Sequence, residues 1–260
     1  MLPSTGSLTL NAAQVVALTV KDFSLTNGTF QTINTTTTPT FDITGNFSKT
    51  AGSFSITSSL IKLRFSGNAA QIFSSNSTLA NTTLEIANTG SAGNNTVTLG
   101  TALTHSGILT LTSGKLVLGS NSLTLGSSAS ISPTTPTSAS YIDASGSGLL
   151  IRQSVPSTGT TVFPVGTASS YTPLTFTGGT AGADITVGVK NAFTNAVVSP
   201  NGVVNLQWSI LASANTQPTV TFQYNGSNQA SGFTSTGAIL GTYSGISYTE
   251  SLLGLSLIHI

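Results

Sequence analysis

The side chains that could do chemistry are few and far apart. Six carboxylates, Asp22, Asp42, Glu85, Asp143, Asp184 and Glu250, stand at least 20 residues from one another. Two of them brought to one groove could divide acid and base work, or offer oxygen ligands to a hard cation. Asp22 and Asp42 are the best pair for this, because a separation of about one coil in a repeat structure would stack them. The plainer role is a strand edge or corner where each carboxylate accepts a backbone N–H. That role is expected here, since no basic cluster gathers beside the pair to hold an anionic sugar. His105, in TALTHSGIL, is the one histidine that could serve a Ser-His-Asp arrangement, yet no Gly-x-Ser-x-Gly elbow joins it to an acid. SGSG at 145–148 is a turn with no phosphate-loop lysine behind it. With two histidines and no cysteine, a transition-metal site is not expected. No catalytic, cofactor-binding or metal-binding residue is assigned, and the chain reads as a non-enzyme.

Composition narrows the function classes further. Charged residues are 5% of 260, the formal net charge is +1, and 38% of the residues are hydrophobic. An ordinary soluble domain carries roughly 25% charged residues. Seven Lys and Arg, scattered from Lys21 to Lys190, cannot neutralise a phosphate backbone, so nucleic acid is excluded as a partner. The opening twenty residues have neither a basic nor a continuous apolar region of signal-peptide type. No run of about 18 apolar residues suggests a membrane helix.

The elements that would position any site announce themselves at 107–132, GILTLTSGKLVLGSNSLTLGSSASIS. Leu109/Leu111, Leu116/Leu118 and Leu123/Leu125 recur every seven residues, with each partner two residues away. Period two means strand, and Gly114, Gly119 and Gly126 fill the gaps with turn chemistry. Strands this short have no worthwhile core alone, so something must stack them. A parallel β-solenoid does so: three seven-residue sides make a coil of about 21 residues, and coils bond to one another about 4.8 Å apart. SLTL, ALTV, DFSL, TFDI, SFSI, TLEI and TVTL carry the texture back towards the N-terminus. The charge deficit follows. Stacked like charges repel, whereas Ser, Thr and Asn hydrogen-bond up a column.

The fold expected is therefore all-β, a parallel β-solenoid (β-helix) over 1–132, a Pro/Ser/Thr linker at 133–140, and an antiparallel β-sandwich-like domain over 141–254. In that domain the strands look longer, and Trp208 sits mid-strand as a core residue. LSLIHI at the C-terminus resembles translated sequencing-adapter read-through, so 255–260 is expected to be an artefactual tail on a fragment.

YIDASGSGLLIRQ, then TVFPVGTASSYTPLTFT, then VNLQWSI resembles the module that follows β-strand repeats in large Ser/Thr-rich secreted and surface proteins of Bacteroidota-type bacteria. The matching residues are Phe163, Pro164, Val165, Gly166, Tyr171, Pro173, Leu174 and Trp208. The resemblance implies an adhesin-like, non-enzymatic segment at the cell surface or outside the cell, exported by type IX secretion. Its partners would be glycan, matrix or another cell. Two other functions are open to a solenoid: a β-helix polysaccharide lyase or hydrolase, and an ice-binding face built on Thr-x-Thr pairs such as Thr110/Thr112.

Overall fold

A computed structural model describes residues 6–11, 17–33, 38–56, 60–197, 200–215, 217–236, 240–243, 248–251 and 256–259. The chain is nearly all β, and its first two thirds wind into a three-sided parallel solenoid of about six turns. The first side carries Ser7–Asn11, Thr29–Ile33 and Ser53–Ile56, and later Leu103–His105, Leu123–Leu125 and Leu150–Val155. The second carries Ala17–Val20, Thr40–Ile43, Ile61–Phe65, Thr82–Ala87, the start of Ile108–Val117, and Ser130–Ser132. The third carries Phe23–Leu25, Phe47–Lys49, Gln71–Ser75, Thr96–Leu99, the end of Ile108–Val117, Ser140–Asp143 and Val165–Gly166.

The seven-residue leucine rhythm is one circuit of this coil. Leu109 and Leu111 lie on the second side, Leu116 on the third with Leu118 just past it, and Leu123 and Leu125 on the first. All six are at most 4% exposed and belong to one apolar cluster. The next coil brings Ile131 beside Leu109. Alternation along these mostly short strands sends every second side chain inward, so the column fills as the strands stack. Towards the N-terminus phenylalanine replaces leucine. Phe23, Phe30, Phe41, Phe47 and Phe73 lie within ring-centroid distances of 5.1–5.5 Å of a neighbour in the stack. Such contacts add about 0.5–1.5 kcal/mol each beyond the area they bury.

The stretch 133–140 does not separate two domains. The parallel ladder runs on past it: Ser140–Asp143 pairs with 114–117, and Val165–Gly166 pairs with Ile142 and Asp143. The prolines form a long corner between rungs, and the corner is pinned. Tyr171 Oη donates to the Pro136 carbonyl at 2.9 Å, Tyr141 Oη donates to that of Thr167 at 2.8 Å, and the two rings lie 5.4 Å apart. Burial pushes both phenols up to about 12. Composition signals a break because Pro cannot donate to a strand ladder and Pro and Ser both favour turns. It does not distinguish a linker from a corner that later residues hold in place.

The change of architecture falls at FPVG instead. Phe163 and Val165 are fully buried, and Pro164 accepts the Ile142 N–H at 2.9 Å, so this motif forms the last rung. Beyond it the first-side sheet continues without interruption. Leu150–Val155 pairs antiparallel with Ala183–Lys190, which pairs antiparallel with Gln207–Ala212. A second sheet of Thr160–Phe163, Leu174–Thr177 and Thr219–Tyr224 lies against it. Ser256–His259, within the segment expected to be an artefactual tail, runs parallel to Thr219–Tyr224. Trp208 joins the two sheets, its ring 5.0 Å from Phe222 and its Nε1 donating to the Thr172 carbonyl at 3.2 Å.

Candidate functional site

Outward positions on the second side stack into a column that reads Thr19, Asp42, Arg64, Glu85, Thr110, Ser132, with Thr40, Lys62 and Thr83 in the column beside it. Asp42, Lys62, Arg64 and Glu85 are thus gathered on three successive rungs of a chain that has only 13 charged residues. The signs alternate up the main column. At rung spacing this turns the repulsion that disfavours charged ladders into attraction, worth about 1 kcal/mol or less per exposed pair after desolvation and side-chain ordering. Glu85 receives Lys62 Nζ at 3.2 Å and Arg64 Nε at 3.9 Å, and Thr112 on the next rung donates its hydroxyl at 2.9 Å. One carboxylate oxygen of Asp42 and the Nε of Arg64 are buried without a hydrogen-bond partner. Coil-length spacing of Asp42, Arg64 and Glu85 was the sequence signal for this ladder.

Asp22 and Asp42 do not come together. Asp42 stacks between Thr19 and Arg64 on a strand, whereas Asp22 sits one coil earlier in the corner after Ala17–Val20 and accepts the Asn46 N–H at 2.7 Å. Two further carboxylates do the same backbone work. Asp143 accepts from Ser145 N at 3.0 Å and Ser145 Oγ at 2.6 Å, and Asp184 accepts from Ser154 N at 3.0 Å. Glu250 falls on Tyr248–Ser251, where side chains lie outside the described residues. The absence of basic residues around Asp42 does not hold in three dimensions, because Arg64 and Lys62 arrive on the next rung. Among the described residues there is no group of three or more His, Cys, Asp or Glu that could hold a metal ion.

His105 points inward, 2% exposed, at the position that Leu125 occupies one coil later. Its Nε2 lies 3.2 Å from the Ile108 carbonyl, which can only accept, so that nitrogen carries the proton. Burial pulls its pKa below the ordinary histidine value of 6.5 more strongly than this bond raises it. The unfolded chain therefore binds a proton between the ordinary and the lowered value that the folded chain refuses. Stability is complete above about pH 6.5 and falls as the pH drops below it. His105→Leu, which extends the leucine column, is expected to flatten the decline of melting temperature between about pH 7.5 and 5. Parallel declines in both proteins would show that this imidazole is not the titrating group.

Thr110 and Thr112 stand on one strand, but the rungs beneath Thr110 present Glu85 and Arg64, so no threonine rank is repeated there. Among the described residues no helix is long and apolar enough to cross a membrane. The chain matches no family model, no curated protein and no solved structure.

Proposed function

We propose that the chain is a non-enzymatic structural and adhesive segment of an extracellular or cell-surface repeat protein, of the Ser/Thr-rich Bacteroidota-type class exported by type IX secretion. One observation carries this reading: the first-side sheet passes from solenoid to antiparallel sheets as a single hydrogen-bonded ladder, from Leu103–His105 through Leu150–Val155 to Gln207–Ala212. A continuous ladder transmits extension without a hinge, which suits a stalk. The outer faces support it, being largely Ser, Thr and Gln, with their few charges neutralising one another along the column. Such a surface binds by many weak polar contacts rather than by one strong field.

A polysaccharide-cleaving β-helix is the second reading, and the second side gives it one specific support. Asp42 and Glu85 lie two rungs apart in one column, about 10 Å at the usual spacing, close to the separation of an inverting acid/base pair. Against it, Lys62 and Thr112 already engage both Glu85 oxygens. One experiment separates the two. Microspheres coated with the chain are passed over immobilised glycans under flow, while the soluble chain is incubated with polyuronates and neutral glucans and assayed for new reducing ends and unsaturated uronides. Retention without products is expected. Products lost in Asp42→Asn or Glu85→Gln would replace the adhesive reading with the enzymatic one, and beads retained no better than bare ones would remove adhesion.

A further inference from the structure

Where the solenoid passes into the antiparallel sheets, the corner 144–149 stands over the strands Ala183–Lys190 and Gln207–Ala212 and leaves a cleft of about 370 Å³. Its shape is dictated by glycine. Gly146 and Gly148 lie so close to the preceding coil that a Cβ would come 2.0 Å from the Gly119 carbonyl oxygen and 2.3 Å from that of Asn121. Gly188, on the facing strand, has its Cβ position 2.6 Å from the Leu149 side chain. These bare positions let the corner lie directly on the preceding coil and let Leu149 reach the facing strand.

Ala144, Leu149 and Val189 give the cleft an apolar wall, and the polar groups beside them are mutually arranged. Lys190 is directly opposite Gln207, and Gly188 is directly opposite Ser209, so alternation places Lys190, Gln207 and Ser209 on the same side of the sheet. The Gln207 amide is held by Thr194, whose N–H and hydroxyl donate to its Oε1 at 2.7 and 3.0 Å. Ser147 supplies an exposed hydroxyl from the corner. Lys190 is the only charged residue lining the cleft, and it enters no ion pair among the described residues.

We infer that this cleft is a binding site for an acidic sugar residue, its carboxylate on Lys190 and its ring hydroxyls on Ser147, Ser209, Thr194 and Gln207. The volume lies at the small end of ligand pockets, which suits a terminal sugar rather than a long oligomer. Among the described residues no aromatic side chain lines the cleft, so a nucleobase would find no stacking plane there. A single unpaired ammonium beside hydroxyls, an amide and a small apolar wall prefers a ligand that bears one negative charge on a ring with both hydroxyls and C–H faces. Naming a surface sugar rests on the adhesive reading, whereas the cleft and its charge do not.

The test uses the full chain with D-galacturonate, D-galactose and acetate as probes, followed by calorimetry and saturation-transfer NMR. Galacturonate is expected to bind about tenfold more tightly than either of the others, a difference of about 1.4 kcal/mol. Lys190→Gln should erase that preference, and Ser147→Trp, at an exposed position, should abolish binding while both variants keep the parent melting temperature. Equal binding of galacturonate by the parent and by either folded variant, or no binding at about 10 mM, overturns the proposal. Bead retention by a parent chain that does not bind galacturonate would sink the cleft alone. Galacturonate binding without retention would sink the adhesive reading alone.

Discussion

Leu123→Asp is expected to abolish the cooperative fold, whereas Thr124→Asp, one residue further on, should cost about 1 kcal/mol or less. Leu123 is fully buried between Leu103 of the coil before and Leu150 of the coil after. Removing its side chain forfeits about 2–5 kcal/mol of packing, and a carboxylate in its place would have a leucine directly above and another directly below it. Several kcal/mol of desolvation add to that sum, which then matches the whole stability of a typical domain, about 5–15 kcal/mol. Thr124 points the other way, between Thr104 and Ile151 on the outer face, where an added carboxylate stays in water. Urea titrations followed by circular dichroism would show no transition for the first variant and a nearly parental midpoint for the second. Comparable losses in both would mean that these leucines do not share an interior column, and the solenoid would fall with them.

The contrast between those two neighbours also explains what could be read from the sequence. Over 109–125 successive sides follow at equal seven-residue intervals, so the leucine rhythm maps directly onto three sides of one coil, and the next inward residue, Ile131, already falls one residue late. Elsewhere corner lengths vary: Leu84 stacks on Leu109 across 25 residues, and Leu123 on Leu150 across 27. With variable corners, sequence distance no longer states which outward residues become neighbours. That is why the expected partner of Asp42 was Asp22, when the ladder sets Arg64 beside it. The proline-rich 133–140 misleads for a related reason, since the groups that make it a corner, Tyr171 and Ser140–Asp143, lie on either side of a further coil. The junction cleft was invisible for a third reason. Glycines set how closely its corner packs, and a glycine in a Gly/Ser-rich chain reads as a turn whether or not two backbones meet over it.

Gly114→Ala is expected to cost about 3–5 kcal/mol, far more than the same exchange at Gly119. Both glycines hold left-handed backbone, with φ of 78° and 60°, which an L-residue adopts at about 1–2 kcal/mol. Gly119 faces open space, so that conformational term is its whole cost. Gly114 does not. It stands where the ten-residue strand Ile108–Val117 turns from the second side to the third, and a Cβ there would lie 2.7 Å from the Asn95 carbonyl oxygen and 2.8 Å from that of Asn88. Neither oxygen can retreat cheaply. Asn95 O accepts the Lys115 N–H at 2.8 Å, and the Asn88 side chain is tied to the Ala69 carbonyl at 2.7 Å and to Gln71 at 3.0 Å. Relief of the contact must push this corner outward and break the register of Ile86 and Ala87 against the bent strand. At about 2–4 °C per kcal/mol for a chain of this size, Gly119→Ala should lower the melting temperature by a few degrees and Gly114→Ala by about 6–20 °C. Equal shifts in the two would show that the corner yields as freely as a surface turn. In that case close backbone stacking would not set the shape of the coil.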